Sequence, residues 1–266
     1  MKDLTGAARH CGHWVAVVST CSLMLVVATC PADAAGCAFE PQGEGRVVEI
    51  LDARTFRLAD GREVVLAGIE PVVTEKARRT SALSAILAGR DVTLRGEDDT
   101  PDRYGRQPAF VFLAPSETLV QGQLLAQGEA LFSGAVTDKD CASVLTAAEA
   151  EARQAKRGTW ADPTAIKNAE SPGDILAGIG RFTVVEGRVL SVRQAGATTY
   201  LNFGRSWTRG FAATISRRMV AAFEAAGTGV KSFENRRIRV RGFVEARGGP
   251  RIELLRVGQV ELLGGN

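Results

Sequence analysis

Histidine is almost missing from this sequence: 266 residues hold two, His10 and His13, both near the N-terminus. Cysteine is sparse at five residues, and tyrosine at two. No apolar run reaches the roughly 20 residues that a membrane-crossing helix needs. The longest, over 14–28, follows Lys2 and Arg9 and precedes Ala32-Asp33-Ala34, a small-x-small pattern. This layout is that of a secretory signal peptide, so residues 1–34 are expected to be removed and the protein to be periplasmic or secreted. The rival readings are an uncleaved anchor and a lipid-modified Cys30 in Val27-Ala28-Thr29-Cys30, where threonine before the cysteine fits poorly.

Each absence excludes chemistry. A mature chain from residue 35 has no histidine, which rules out serine–histidine or cysteine–histidine catalysis and histidine-ligated zinc. Cys11, Cys21 and Cys30 leave with the N-terminal segment, and Cys37 and Cys141 remain. In an oxidising compartment two cysteines read as one disulfide. It is read as a structural staple, because neither cysteine belongs to a C-x-x-C motif. Any metal has to be a hard cation held by carboxylates.

What is present is β-rich and comes in two parts. Strand-like runs at 45–51, 55–58 and 63–68 are separated by Asp52-Ala53-Arg54 and Asp60-Gly61, the second a good hairpin signal. The period then changes: Ala82, Leu83, Ile86 and Leu87 line one helical face, and Gly89 is a natural stop. Strands are expected at 91–95 and 109–113, and helices at 119–127 and 142–157, with Trp160 just beyond. Three strands, a helix and two strands, followed by helices, is the order of a five-stranded Greek-key barrel of the OB type. Pro163, Pro172, Gly173, Gly178 and Gly180 mark 162–180 as a linker. Beyond it, strands at 182–193, 198–203 and 210–215, a helix at 216–226, and a hairpin around Gly248-Gly249-Pro250 repeat the order. The expected architecture is therefore mainly β with helices. It consists of two tandem OB-like five-stranded barrels, at 35–161 and 181–266, the first with three added helices.

Charge separates the two parts. Residues 35–180 carry 16 Lys and Arg against 22 Asp and Glu, whereas residues 181–266 carry 15 against 6. The overall +3 conceals a net −6 beside a net +9.

Residues 45–160 resemble the thermonuclease, or staphylococcal-nuclease-like, family. Asp102-Arg103-Tyr104-Gly105-Arg106 matches the family's D-x-Y-G-R, and Leu66-Ala67-Gly68-Ile69-Glu70 its L-x-G-I-D. Ile50-Leu51-Asp52-Ala53-Arg54-Thr55 takes the place of its V-x-D-G-D-T turn. Gly128-Glu129-Ala130, and Ala152 through Gly158-Thr159-Trp160, match its C-terminal helices. The resemblance implies an OB fold and a site in which a calcium ion and two arginines surround a scissile phosphate. It also implies that this site is degenerate. Arg54 stands where the family has a calcium-ligating aspartate, Val65 where it has an arginine, and Val73 where it has the glutamate base. Glu70 replaces an aspartate and keeps ligating ability, and only Arg106 is unchanged; a shifted register would recruit Glu75. A fixed cation in place of an anionic ligand opposes a metal that needs six to eight oxygens. Arg54 is expected to pair with Glu70, or else to be a solvated turn residue. Arg106 either grips a phosphate or pairs with Asp102. Tyr104 reads as a packing residue.

In the basic part, Arg205, Arg209, Arg217 and Arg218 lie near Tyr200, Phe203, Trp207 and Phe211 in sequence, and Arg236, Arg237, Arg239 and Arg241 follow. Cations interleaved with rings suit a single-stranded nucleic-acid groove, with Tyr200, Arg205, Trp207, Arg209 and Arg239 as contacts. The plainer reading of 237–241 is a half-buried strand with arginine outward. The expectation is an exported protein that binds nucleic acid or another anionic polymer with little or no catalysis. No cofactor is expected, Ca²⁺ entering only under a weak phosphodiesterase alternative. A structural envelope or partner-binding module is the third reading.

Overall fold

The computed structural model describes residues 37–72, 76–206 and 209–264. The expected signal segment, with His10 and His13, lies outside the described residues, as do Val73, Glu75 and Trp207. The first part runs β1 (Glu40–Ile50), β2 (Thr55–Leu58), β3 (Glu63–Leu66), β4 (Ile69–Pro71), α1 (Lys76–Leu87), β5 (Asp91–Gly96), β6 (Gln107–Leu113), β7 (Thr118–Leu119), α2 (Val120–Ala126), β8 (Ala130–Phe132) and α3 (Lys139–Gln154). In β5 the two-residue period turns Val92 and Leu94 into the core and leaves Asp91 outside. Six of the seven residues of β6 are buried, so that strand is covered on both faces.

Hydrogen bonds join β1 to β2, β2 to β3, β3 to β6 in parallel, β6 to β5, and β5 back to β1. These pairings close a five-stranded barrel in the OB order. β1 closes the ring because its 11 residues pair on both sides, with a register shift in each pairing that lets the strand bend. Phe56, Leu58, Leu66, Val92, Leu94 and Phe112 fill the interior. Gln121 is buried there without cost to its amide: Val111 N donates to its Oε1, and its Nε2 donates to Ala109 O. α3 starts three residues before the expected 142, because Asp138 caps it by accepting from Cys141 N at 2.7 Å. Cys37 and Cys141, both buried, form a disulfide with their Cα atoms 4.3 Å apart. It ties the segment before β1 to the first turn of α3.

The second part comprises β9 (Ile166–Asn168), α4 (Pro172–Leu176), β10 (Phe182–Arg188), β11 (Ser191–Ala195), β12 (Thr198–Asn202), β13 (Ala212–Ser216), α5 (Arg217–Ala225), β14 (Arg237–Ala246), β15 (Pro250–Leu254) and β16 (Val260–Leu262). Its pairings repeat the order of the first: β11 with β12, β12 with β13, β13 with β15 in parallel, β15 with β14, and β14 with β10. The expected strand over 182–193 is broken at Val189 and Leu190, so β10 and β11 share the task that β1 performs alone. The second part thus repeats the order of pairing without one continuous ring. Segment 162–180, expected as a linker, carries β9, which extends the sheet beside β10, and α4, which buries Ile175 in the second core.

The two parts are packed on each other within a single compact unit. Leu131, Ala152 and Trp160 of the first form one apolar cluster with Val184 of β10. Gly134 meets the backbone of Gly258 so closely that a Cβ on either would lie within 2.7 Å of a carbonyl oxygen. Arg241 of β14 reaches into the first part, where its Nη1 donates to Glu149 Oε2 at 2.9 Å and to Phe132 O at 2.8 Å. No helix among the described residues is long and apolar enough to cross a membrane.

Candidate functional site

The turn between β1 and β2 is built by its own residues. Leu51 N and Asp52 N both donate to Thr55 O, and Asp52 Oδ1 accepts from Arg54 N at 2.8 Å. Arg54 O accepts from Leu66 N, which fixes the turn to the end of β3. Gly68, at φ 78, then turns the chain into β4, where Glu70 faces Leu131 of β8. This brings Arg54 Nη1 to Glu70 Oε1 at 2.8 Å and to Ile69 O at 3.4 Å. Both side chains are mostly covered. Burial pushes the Glu70 carboxyl above its ordinary pKa, and the neighbouring Arg54 offsets this only in part.

The loop before β6 is organised by Asp102. Its Oδ1 accepts from Tyr104 N and Arg106 N, and its Oδ2 accepts from Arg106 Nε at 3.0 Å and Nη2 at 2.7 Å. Burial raises the Asp102 carboxyl, but these bonds outweigh it and hold the group below the usual range. Bonding to Asp102, with the charge of Asp52 nearby, raises the Arg106 guanidinium in turn. Tyr104, expected to pack, instead lies exposed, with Arg103 and Arg106 over its ring at 4.7 and 5.1 Å. The loop turns at Gly105, φ 79, directly after it.

This donor set does not fit a calcium ion. Asp52 already gives one oxygen to the Arg54 backbone N–H and Glu70 one to the Arg54 guanidinium, whose fixed positive charge opposes a cation at Glu70. Among the described residues, no three His, Cys, Asp or Glu side chains gather where they could hold a metal. Val65 is buried in β3 and supplies no donor.

The second part separates the residues that its sequence had grouped. Tyr200 is half-buried on β12, opposite Arg193, with Arg251 over its ring at 5.0 Å. Arg205 and Arg209 are exposed in the connection between β12 and β13. Arg239 stands elsewhere, nearly buried between Glu261 Oε2 at 2.6 Å and Glu186 Oε2 at 3.1 Å. Arg241 reaches Glu149 of α3, because the face of β14 expected to meet solvent is covered there by the first part. The buried stripe of α3 is Cys141, Leu145, Glu149 and Ala152, so a carboxylate occupies a core position there. That spacing was the available signal for the Glu149–Arg241 pair.

The closed barrel and its three helices define an OB-type domain. A family model described as "Staphylococcal nuclease homologue" matches residues 74–162, a span that contains Arg106 and begins after Arg54 and Glu70. Two curated proteins, from Escherichia coli O157:H7 and Escherichia coli and both called "Uncharacterized endonuclease", are 29% identical to this chain over 124 residues. Those residues span 44% of this chain and 77% of each relative. On fold and likeness together, the first part of the chain is similar to the staphylococcal nuclease homologues. Such a likeness points to nucleic-acid binding or nuclease activity.

Proposed function

We propose that this is an exported protein that binds nucleic acid through a nuclease-like scaffold and does not hydrolyse it. The observation that carries the reading is Arg54 Nη1 on Glu70 Oε1 at 2.8 Å, an internal ion pair where the family resemblance would place a metal. Arg106, the one retained arginine, spends its fork on Asp102 instead of presenting it to a phosphate. Losing one transition-state donor typically costs on the order of 10²–10³ in rate, and here several are changed together. Export rests on the pattern of residues 1–34. The name of the E. coli relatives favours the second reading, a weak Ca²⁺-dependent phosphodiesterase.

Purified protein incubated with labelled single-stranded DNA, in Ca²⁺ or in EDTA, separates the two. The expected result is intact DNA in both and a melting temperature that Ca²⁺ does not raise, since a ligand stabilises the state it binds. Calcium-dependent cleavage that Glu70→Gln abolishes would overturn the proposal and establish the enzyme.

A further inference from the structure

A groove of about 1020 Å³ lies where β9, β10 and the start of β14 run out at the edge of the second sheet. Lys167 stands on the β9 side, Arg188 ends β10, and Arg236 and Arg237 begin β14. Gly187 lines it as well; a Cβ there would come within 2.4 Å of Ala169, so glycine is what lets the β9 side approach so closely. Arg188 and Arg237 are register partners on antiparallel strands, so two guanidinium groups leave the same face side by side. Like charges directly opposite repel. Arg237 is relieved by Glu186 Oε1 at 2.9 Å, whereas Arg188 has no carboxylate within ion-pair distance among the described residues. Arg236 also lacks one, and its carbonyl accepts from Val189 N, which fixes it beside Arg188.

The acidic side chains do not cancel this field. Glu186 is shared between Arg237 and Arg239, and Glu170 is exposed. Four cations therefore face two carboxylates, one of them already engaged twice. Among the described residues no aromatic ring lines the groove, so its recognition rests on charge. A convex duplex does not enter a concavity of this size, whereas a few nucleotides of single strand do.

We propose that this groove holds the phosphodiester backbone of single-stranded nucleic acid, with Arg188 and Arg236 each meeting a phosphate. The proposal rests on the nucleic-acid reading above and moves the contact away from Tyr200 and Arg239. Recognition by charge alone is indifferent to sequence and strongly dependent on salt.

The test is fluorescence anisotropy of labelled oligothymidylate and oligodeoxyadenylate against the full chain over a range of salt. The double variant Arg188→Ala/Arg236→Ala is expected to bind roughly tenfold more weakly at low salt. Its log–log salt slope should be smaller by about 1.4, or 0.7 per lost phosphate contact. Arg90→Ala/Lys139→Ala removes the same charge from exposed sites in the first part and should leave affinity within about twofold. Unchanged melting temperatures show that both variants are folded. Wild-type binding that survives the groove variant, or falls equally with both variants, overturns the groove and leaves the nucleic-acid reading standing. No wild-type binding at low salt overturns that reading itself.

Discussion

Arg54 and Arg106 in the first part each end on a carboxylate, Glu70 of β4 at 2.8 Å and Asp102 of the same loop at 2.7 Å. Arg188 and Arg236 in the second end on none among the described residues, although both parts follow one order of strand pairing. A guanidinium already holding a carboxylate has to lose that bond before it takes a phosphate. A free and exposed one exchanges only water. Comparable folds thus present arginine in opposite ways, and the difference lies in local partners rather than architecture. Arg239 and Arg241 are a third case: Arg239 is spent on Glu186 and Glu261 of its own part, and Arg241 joins the parts through Glu149. The net −6 and +9 read from the sequence therefore overstate how much of the second part's positive charge is on offer.

The comparison breaks first if the two parts are independent. Glu149→Ala takes from buried Arg241 its closer carboxylate, leaving Glu261 at 3.6 Å, and takes the acceptor from Phe132 N. Removing one member of a buried pair costs roughly 3–5 kcal/mol. Urea unfolding should show one transition for the wild type and one, at lower midpoint, for the variant. Two separate wild-type transitions would mean that the parts fold alone and that Arg241 joins nothing of consequence.

A smaller effect probes the same coupling from the far side. The disulfide closes a loop of 104 residues that lies wholly in the first part. Cys37→Ser/Cys141→Ser is expected to cost roughly 2–4 kcal/mol. If the parts are coupled, backbone amides of β12 and β13 should exchange faster in that variant, although no bond near them has changed. Unaltered protection there would confine the disulfide's effect to the first barrel.

What the sequence made legible was local. Alternation in 91–96, the Asp60-Gly61 turn and the helical stripe at Leu83, Ile86 and Leu87 each carry their period within a few residues. The Asp52 and Asp102 turns belong to the same class, because each aspartate bonds backbone within four residues. Packing of one part on the other was not legible in this way. In 237–241 arginine alternates with Ile238 and Val240, a pattern that suits a solvated face and a face covered by carboxylates equally well. Glu149, 92 residues from Arg241, decides for that residue, and Glu186 and Glu261 decide for Arg239. The groove was hidden for the same reason: Lys167, Arg188 and Arg236 come from three strands or their ends, and β9 sat inside an assumed linker.

The smallest effect concerns Glu70 and sharpens the contrast between held and free arginines. Its folded-state pKa is raised, by burial first and against the pull of Arg54. The folded state therefore binds the Glu70 proton more tightly than the unfolded chain does. Its contribution is fully present below the unfolded pKa of about 4.3 and is lost as pH rises through the folded value. Glu70→Gln keeps the shape and one acceptor for Arg54 while removing the ionisation. At pH 7 the variant should be as stable as the wild type or slightly more so, within about 1 kcal/mol. Across the acid range its stability should lack the decline with rising pH that Glu70 gives the wild type. Denaturant midpoints for both proteins, taken from pH 4 to pH 7, check the sign. A variant less stable at pH 7 than at pH 4, relative to wild type, would show that the pair with Arg54 outweighs burial. The ion pair would then be a net support of the fold, and Arg54 harder still to release toward a phosphate.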